Sequence, residues 1–234
     1  MFRFAAAIVD ATADLALAYK VNTAFFECEG VRGWQLMERI AAILPTSALR
    51  IADCKRGDIG HTSGYYAKTF FQELPFDAVT VHPYMGHDSA QPFLDYTDKW
   101  TFLLGLTSNP GAADFEQQQL ETGEPLWQRV LHHAEAHWQR GNLGYVVGAT
   151  RSEAFREVRL LVPNAPLLVP GVGAQGGDAE AVVRNGYAGP GSLLVNASRA
   201  ILYASEGSDF AEAARTAALN LTQALRKAVE YSAD

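Results

Sequence analysis

The sequence predicts an α/β fold of the (β/α)8 barrel type, formed by a single domain over residues 1–234. Strand-like and helix-like segments alternate along the chain without a linker or a low-complexity stretch. This alternation is typical of a parallel sheet whose strands are joined by crossover helices. A chain of 234 residues is long enough for one sizeable α/β domain and short for two. The number of repeats favours a barrel over an open sheet.

The individual elements follow from apolar runs and their periodicity. The predicted strands are short apolar runs, in chain order residues 17–21, 49–53, 78–82, 101–107, 144–148, 167–170 and 192–196. The predicted helices show longer periodic patterns, in chain order residues 2–15, 33–44, 62–74, 126–140, 152–161, 178–185 and 210–231. The chain therefore begins on a helix, and one strand of an eight-stranded barrel is unaccounted for.

Composition excludes several classes of partner. The net charge is −7 and no Lys/Arg cluster occurs, which argues against nucleic acid and against an anionic membrane surface. An anionic ligand must therefore be bound by a local site. No secretory signal and no apolar run of about 18 residues is found. Cys28 and Cys54 form no disulfide framework, which fits a reducing cytoplasm.

One segment of ten residues carries most of the charged chemistry. Residues 53–62 read Asp-Cys-Lys-Arg-Gly-Asp-Ile-Gly-His-Thr and directly follow an apolar run. Because side chains alternate along a strand, Asp53 and Lys55 lie on the same side and can point into one site. Asp58 lies beyond the Gly57 turn and either approaches the same Lys55 or reaches a neighbouring subunit. A lysine between carboxylates is held in its charged form, which suits an acid that protonates a developing carbanion.

The same spacing is compatible with a solvated turn, whose surface ion pairs contribute only about 0 to 1 kcal/mol. The context favours a site, because barrel enzymes place catalytic groups where a buried strand ends. Cys54 lies between Asp53 and Lys55 and should point away from them, so we interpret it as a packing residue.

Two late loops predict a phosphate site. Residues 170–178 read Pro-Gly-Val-Gly-Ala-Gln-Gly-Gly-Asp and follow one predicted strand, and Asn-Ala-Ser-Arg at 196–199 follows the next. Loops after the last two strands usually bind phosphate in this fold. Glycine lets backbone N–H groups approach phosphate oxygens, Arg199 can make a two-pronged charged contact, and Gln175 a neutral one. A glycine-rich turn alone is more often structural, and the arginine makes the phosphate hypothesis more specific.

The histidines support weaker hypotheses. His133 and His137 share one face of a predicted helix at a spacing that can hold zinc, but no third ligand is evident and the helix should lie outside the barrel. His82 and His87 flank a strand end, where a role in the wall of the site and simple packing are both open.

Together these motifs resemble the orotidine 5′-phosphate decarboxylase family. The resemblance rests on Asp53-x-Lys55-x-x-Asp58-Ile59, Lys20 at the end of an earlier strand, Ser-Asn-Pro-Gly at 108–111, the 170–178 loop and Ser198-Arg199. It runs from about residue 4 to 205 in the same order, and the Lys-Arg-Gly-Asp-Ile-Gly motif is similar to that of a bacterial subgroup. The resemblance implies a dimeric (β/α)8 barrel that converts orotidine 5′-phosphate to uridine 5′-phosphate and CO2 without a metal or an organic cofactor.

By matching position, the resemblance implies a role for each residue of the site. Lys55 would protonate C6 of the pyrimidine, Asp53 would face the departing carboxylate, and Lys20 would orient Asp53 and the ribose. Asp58 would be contributed to the partner subunit's site. The substrate-binding residues would be Ile59 and Thr62 in the partner's site, Ser108 at the pyrimidine edge, Pro170 and Gly176 in the glycine-rich loop, and Gln175 and Arg199 on the phosphate.

The resemblance also implies a first strand that precedes the opening helix and carries a ribose-contacting aspartate. Asp10 and Asp14 are both predicted within that helix, so neither can replace it. Two other functions stay open. One is a metal-dependent sugar-phosphate decarboxylase or aldolase of the same superfamily, which uses a carboxylate where this chain has Lys20. The other is a non-catalytic barrel that binds nucleotide phosphates.

Overall fold

The chain forms seven parallel strands that curl into a nearly closed barrel with helices outside. The computed structural model describes residues 1–172 and 177–232, with the side chain of Ser232 excepted. Neighbours in the sheet follow chain order, so each crossover leads to the adjacent strand. The strands are β1 (Ala18–Asn22), β2 (Leu49–Arg56), β3 (Ala78–Val81), β4 (Trp100–Leu106), β5 (Leu143–Val147), β6 (Leu167–Pro170) and β7 (Leu193–Asn196).

The helices form an outer layer around the strands. They are α1 (Phe2–Thr12), α2 (Ala24–Glu27), α3 (Val31–Ile43), α4 (Gly60–Lys68), α5 (His87–Leu94), α6 (Leu126–His137), α7 (Ala154–Leu161), α8 (Ala179–Gly186), α9 (Arg199–Leu202) and α10 (Phe210–Ser232). A π-helical turn, Thr69–Glu73, continues α4. In the described ranges no helix combines the length and the apolar character that a membrane span requires.

Alternation along the strands separates two apolar layers. One small cluster of side chains fills the inside of the barrel: Ile51, Ala78, Phe102, Val146 and Leu168. The residues between them point outward into a larger layer shared with the helices. The carboxyl ends of parallel strands meet on one face of the barrel, so polar side chains near these ends can form one site.

The predicted architecture is confirmed, including the count of seven strands. Several boundaries differ. β2 continues beyond Asp53 to Arg56, and α1 ends at Thr12, so Asp14 lies outside the helix. Helices α2, α5 and α9 lie outside the predicted elements, and α5 is the longest of them. Helix α5 contains Pro92, the sixth of its eight residues. A proline inside a short segment argues against a helix when only the sequence is considered.

The barrel has a seam between its first and last strands. Within the described chain, β1 pairs with β2 and β7 pairs with β6, but β1 and β7 do not pair with each other. A cavity of about 620 Å³ lies at this seam, lined by both strands and by α1, α8 and α10. Lys20 and Asn196 lie on its wall, so the seam adjoins the polar end of the barrel.

Candidate active site

Strands β1 and β2 bring a lysine and an aspartate into direct contact. The register pairs Lys20 with Ile51, so Lys20 lies on the inward face, one strand away from Asp53 and two positions before it. The Lys20 Nζ atom donates to Asp53 Oδ2 at 2.5 Å. Their side chains are only 11% and 9% exposed, respectively. This is a buried ion pair, unlike the exposed pairs of a solvated turn.

Lys55 completes the cluster from the same strand as Asp53. Its Nζ atom donates to the other carboxylate oxygen, Asp53 Oδ1, at 2.5 Å. The Lys55 side chain is 48% exposed, so its ammonium group lies at the open end of the barrel. Asp53 therefore forms ion pairs with two lysines, the buried Lys20 and the half-exposed Lys55, which a ligand can reach. The alternation argument from sequence correctly places Asp53 and Lys55 together.

The electrostatics of Asp53 follow from its neighbours. Burial by itself raises the pKa of a carboxyl group. Here the ammonium group of Lys20, and after it that of Lys55, outweigh the burial and hold the pKa of Asp53 below its ordinary value. The carboxylate is therefore ionised at neutral pH, and the three side chains carry one net positive charge.

A bulge in β2 directs Lys55 into the site. Ala52 pairs with Val79 and Arg56 pairs with Val81, so residues 53–55 lie opposite a single residue of β3. Within the described chain Lys55 is the one non-glycine residue with positive φ, at 46°. Bulges commonly re-aim a side chain next to an active site.

Asp58 and Ile59 lie on the turn that leads from β2 into α4. The Asp58 carboxylate accepts the backbone N–H of Ile59 at 2.7 Å, and Ser63 exchanges two hydrogen bonds with the Asp58 backbone. Among the described residues, Asp58 forms no ion pair with Lys55. The expectation that Lys55 lies between two carboxylates is thus not met within one chain. Ile59 is 60% exposed, and Thr62 is half-buried in α4.

Gly57 lets the turn approach His82 closely. A Cβ atom at residue 57 would lie 2.4 Å from Nε2 of His82, so only glycine fits here. The imidazole therefore packs beneath the turn between Lys55 and Asp58, and its buried Nδ1 has no hydrogen-bond partner in the described structure. His87, by contrast, is exposed and lies beside Trp138.

Ser108 follows β4 at the same end of the barrel. A Cβ atom at Gly148 would lie 2.7 Å from Cβ of Ser108, so the glycine lets the loops after β4 and β5 approach closely. The preceding residue is anchored, because both the N–H and the hydroxyl group of Thr107 donate to the Glu116 carboxylate at 2.7 Å. This anchor holds the start of the loop against the barrel.

The predicted phosphate residues follow β6 and β7. Pro170 pairs with Asn196 across these strands, and Gly177 donates its N–H to Gly171 at 3.2 Å, which closes the glycine-rich loop at its base. Gln175 and Gly176 lie outside the described residues. Arg199 is the first residue of α9 and is exposed, and its guanidinium group forms no ion pair with the described part of the chain.

Other candidate groups lie apart from the cluster. Burial raises the pKa of the Cys54 thiol to about 12, and its sulfur faces the carbonyl of Thr80, as a packing residue should. His133 and His137 lie side by side on the exposed face of α6, with ring centroids 4.7 Å apart and the ring planes tilted by 53°. No group of three or more potential metal ligands occurs among the described residues.

One residue of the cluster is absent from the sequence predictions. The Thr80 hydroxyl donates to Asp53 Oδ1 at 3.0 Å from β3. Alternation places residue 80 on the same inward face as His82, so strand pairing is a signal that indicates it. The contact itself depends on the bulge in β2, which the sequence pattern does not reveal.

Comparison with known proteins identifies the family of the chain. The family model described as orotidine 5′-phosphate decarboxylase / HUMPS family matches residues 2–216. The chain belongs to this family. It is 49% identical over 234 residues to the orotidine 5′-phosphate decarboxylase of Flavobacterium johnsoniae, an alignment that covers 98% of this chain and 85% of that protein. Identity to the enzyme of Bacteroides fragilis is also 49%, with 93% and 81% covered.

Solved structures of the decarboxylase family share the fold. The OMP decarboxylase of Leishmania donovani superposes with a TM-score of 0.86 at 33% identity, covering 96% of this chain and 87% of that chain. The UMP synthase of the same organism gives a TM-score of 0.88 at 37% identity, but this chain covers only 50% of that longer protein. All residues of the predicted site lie within the matched range of the family model.

Proposed function

We propose that this member of the family decarboxylates orotidine 5′-phosphate to uridine 5′-phosphate and CO2, with Lys55 as the proton donor. The observation that carries the proposal is the Lys20–Asp53–Lys55 cluster at the open end of the barrel. The Lys55 side chain is half-exposed, so a ligand can reach it. The 49% identical relatives named as this enzyme support the same reaction.

The chemistry explains why fixed charges are needed. The bond between C6 and the carboxyl carbon breaks, CO2 leaves, and the electron pair stays on C6 in the plane of the ring. The ring π system cannot delocalise this pair well, so preorganised charges must stabilise it. Lys55 supplies a cation where the negative charge develops and then transfers a proton from Nζ to C6.

Asp53 and Lys20 support this step. The ionised Asp53 would face the substrate carboxylate, and like charges at close range favour loss of the group as neutral CO2. Because Lys20 is buried against Asp53, it would fix the aspartate and contact the ribose. The cluster would act as a preorganised charged unit.

Binding of the remote phosphate would supply energy for the reaction. We assign Arg199, Gln175, Gly176 and Pro170 to the phosphate side and Ser108 to the pyrimidine edge. Contacts far from C6 can organise the reacting groups.

The position of Lys20 disfavours a metal-dependent sugar-phosphate reaction. That branch of the superfamily uses a carboxylate at this strand end to help bind Mg²⁺. Here the Lys20 ammonium group lies 2.5 Å from Asp53, and a cation at that place opposes a second cation. The charge at this position therefore separates the two reactions.

We further propose a homodimer with a shared site. In one chain the Asp58 carboxylate does not reach Lys55, and Ile59 is exposed beside it. Asp58, Ile59 and Thr62 would contact the substrate bound by the partner subunit. The two cysteines are both free thiols, which fits our proposal that the enzyme works in the cytoplasm.

The test is turnover by the purified protein, followed as loss of the orotate chromophore. We expect Lys55→Ala to lower kcat by roughly 10⁴-fold or more, since both the proton donor and the charge partner are removed. Binding of uridine 5′-phosphate should stay largely intact. Lys68→Ala is the matched control, because Lys68 forms only an exposed pair with Glu73 on the outside of the barrel.

Other outcomes would contradict the proposal. Tight nucleotide binding by the wild type without turnover would indicate a non-catalytic barrel. Mg²⁺-dependent turnover of a sugar phosphate alone would place the chain in the other branch. Near-normal decarboxylation by Lys55→Ala would remove Lys55 from the mechanism.

A further inference from the structure

Thr80 lies at the point where the bulge of β2 meets β3. It is only 1% exposed, and it shares the inward face of β3 with Ala78, which belongs to the cluster inside the barrel. Opposite it, residues 53–55 of β2 have no paired backbone partner on β3. Thr80 therefore faces the segment that carries both Asp53 and Lys55.

The Thr80 hydroxyl replaces a missing hydrogen bond of the β ladder. The backbone N–H of Lys55 can only donate, and it donates to Thr80 Oγ1 at 3.0 Å. The hydroxyl proton is then directed to Asp53 Oδ1, also at 3.0 Å. That same carboxylate oxygen accepts the Lys55 ammonium group. One hydroxyl group thus links the backbone of Lys55 to the carboxylate that its side chain contacts.

The backbone at Lys55 needs such support. Its φ of 46° lies in the left-handed region, which costs a lysine energy and persists only when the surroundings hold it. The ladder offers no carbonyl here, because the register shifts between Ala52 and Arg56. A side-chain hydroxyl at residue 80 supplies the bond that keeps this conformation.

We propose that Thr80 is a positioning residue, whose hydroxyl holds Lys55 in its bulged conformation and aligns Asp53 with the Lys55 ammonium group. Thr80 acts through these two residues and takes no proton from the substrate. The kinetic test of this proposal rests on the decarboxylation proposed above. A second test uses the protein without substrate and does not depend on that reaction.

The first experiment compares Thr80→Val with Thr80→Ser. Valine keeps the shape and removes both hydrogen bonds, so we expect kcat to fall about 10- to 100-fold, the loss typical of a misplaced catalytic group. The dissociation constant of uridine 5′-phosphate should change less than about 3-fold, because the phosphate contacts are distant. Serine keeps the hydroxyl and should restore most of kcat.

Thr101→Val is the matched control. Thr101 is a buried threonine on the neighbouring strand β4, and its Oγ1 has no partner in the described structure. We expect wild-type kcat in this variant. Equal kcat in Thr80→Val and the wild type would overturn the proposal. So would equal losses in Thr80→Val and Thr80→Ser, because the methyl group would then matter and not the hydroxyl.

The second readout needs no turnover. The charged groups facing Asp53 are Lys20 from β1 and Lys55 from its own strand, and Thr80 adds a neutral donor from β3. Removing a hydrogen-bond donor to the ionised form raises the pKa of a carboxyl group. Carbon NMR of the Asp53 carboxyl group should therefore show a higher pKa in Thr80→Val, but not in Thr80→Ser or Thr101→Val. An unchanged pKa of Asp53 in Thr80→Val would contradict the role of Thr80, whether or not the wild type is active. A raised pKa together with an inactive wild type would contradict only the proposed decarboxylation.

Discussion

At the scale of single residues, the site depends on Asp53 being charged while it is buried. Lys20 and Lys55 each donate to one of its oxygens, and together they hold its pKa below the ordinary value. A depressed carboxyl pKa contributes stability at neutral pH, and this contribution is lost as the pH falls through the folded-state value. If Asp53 acts as proposed, we expect activity and stability to fall together as this group is protonated in the acid range.

Arg199 is the residue whose role can be isolated most cleanly. We expect Arg199→Ala to lower kcat/KM for orotidine 5′-phosphate by about 100-fold, as loss of a charged contact to phosphate does. Reaction of orotidine, which lacks the phosphate, should scarcely change. Both values follow from initial rates at varied substrate concentration.

Arg184→Ala is the control for the loss of a surface arginine, since Arg184 only pairs with Glu180 along α8. This variant should match the wild type with both substrates. Equal losses of Arg199→Ala on the nucleotide and the nucleoside would mean that Arg199 does not contact the phosphate.

The contacts of Asp53 show where prediction from sequence succeeds at this scale. Strand alternation predicts that Asp53 and Lys55 lie on one face, and the parallel topology brings Lys20 to them, whereas the bulge that aims Lys55 is not predicted. Thr80 depends on a register shift between β2 and β3. A shift of that kind arises from tertiary packing and leaves no periodic signal in one strand.

At the scale of elements, strong apolar periodicity identifies the strands and the long helices. It does not identify a helix that contains proline or a π-helical turn. Strand 167–170 has the predicted bounds, because its apolar run is bordered by a proline and a glycine. Helix α5 contains Pro92, and the π-helical turn after α4 follows from packing of Phe70 and Phe71 into the core. Neither feature has a local pattern that separates it from a loop or an ordinary helix.

The layered core explains why the predicted barrel is correct although α5 lies outside the predicted elements. Side chains inside the barrel and side chains facing the helices alternate along each strand. That alternation depends on the strands alone. A missed helix changes the outer layer but not the face on which the carboxyl ends of the strands meet.

At the scale of the whole molecule, the site raises the question of assembly. We expect inactive Lys55→Ala and Asp58→Asn homodimers to regain activity when they are mixed and exchange subunits. In a mixed dimer one of the two sites carries both native residues. Random exchange makes about half of the dimers mixed, so turnover should recover to roughly a quarter of the wild-type value.

Exchange must be shown independently, for example by mass spectrometry of isotope-labelled subunits, and mixing two Lys55→Ala preparations serves as the control. No recovery despite demonstrated exchange would mean that Asp58 acts within its own subunit. The present hydrogen bonds of Asp58 with Ile59 and Ser63 would then belong to its functional conformation.

The seam of the barrel is the second feature of the whole molecule. β1 and β7 each lack a partner on one side within the described structure, and the cavity between them is lined by apolar residues of α1, α10 and both strands. Unpaired strand edges present free N–H and C=O groups and are a liability in a folded protein. Lys20 lies on one of these strands, and Arg199 lies three residues beyond the end of the other.

We therefore predict that extending the chain upstream by one strand, of the form apolar-apolar-x-Gly-x-Asp, makes it more stable and more active. The added strand would pair with β1 and β7 and close the barrel. A net gain of about 2 kcal/mol would raise Tm by roughly 4–8 °C for a domain of this size. The aspartate would bring a carboxylate beside Lys20 for the ribose, so kcat/KM should rise as well. Thermal melts and turnover of the two proteins measure both effects.

The control carries the same extension with prolines at the pairing positions, which cannot form the ladder, and it should behave like the 234-residue chain. Equal melting and turnover of all three proteins would mean that the open edges of β1 and β7 limit neither stability nor catalysis.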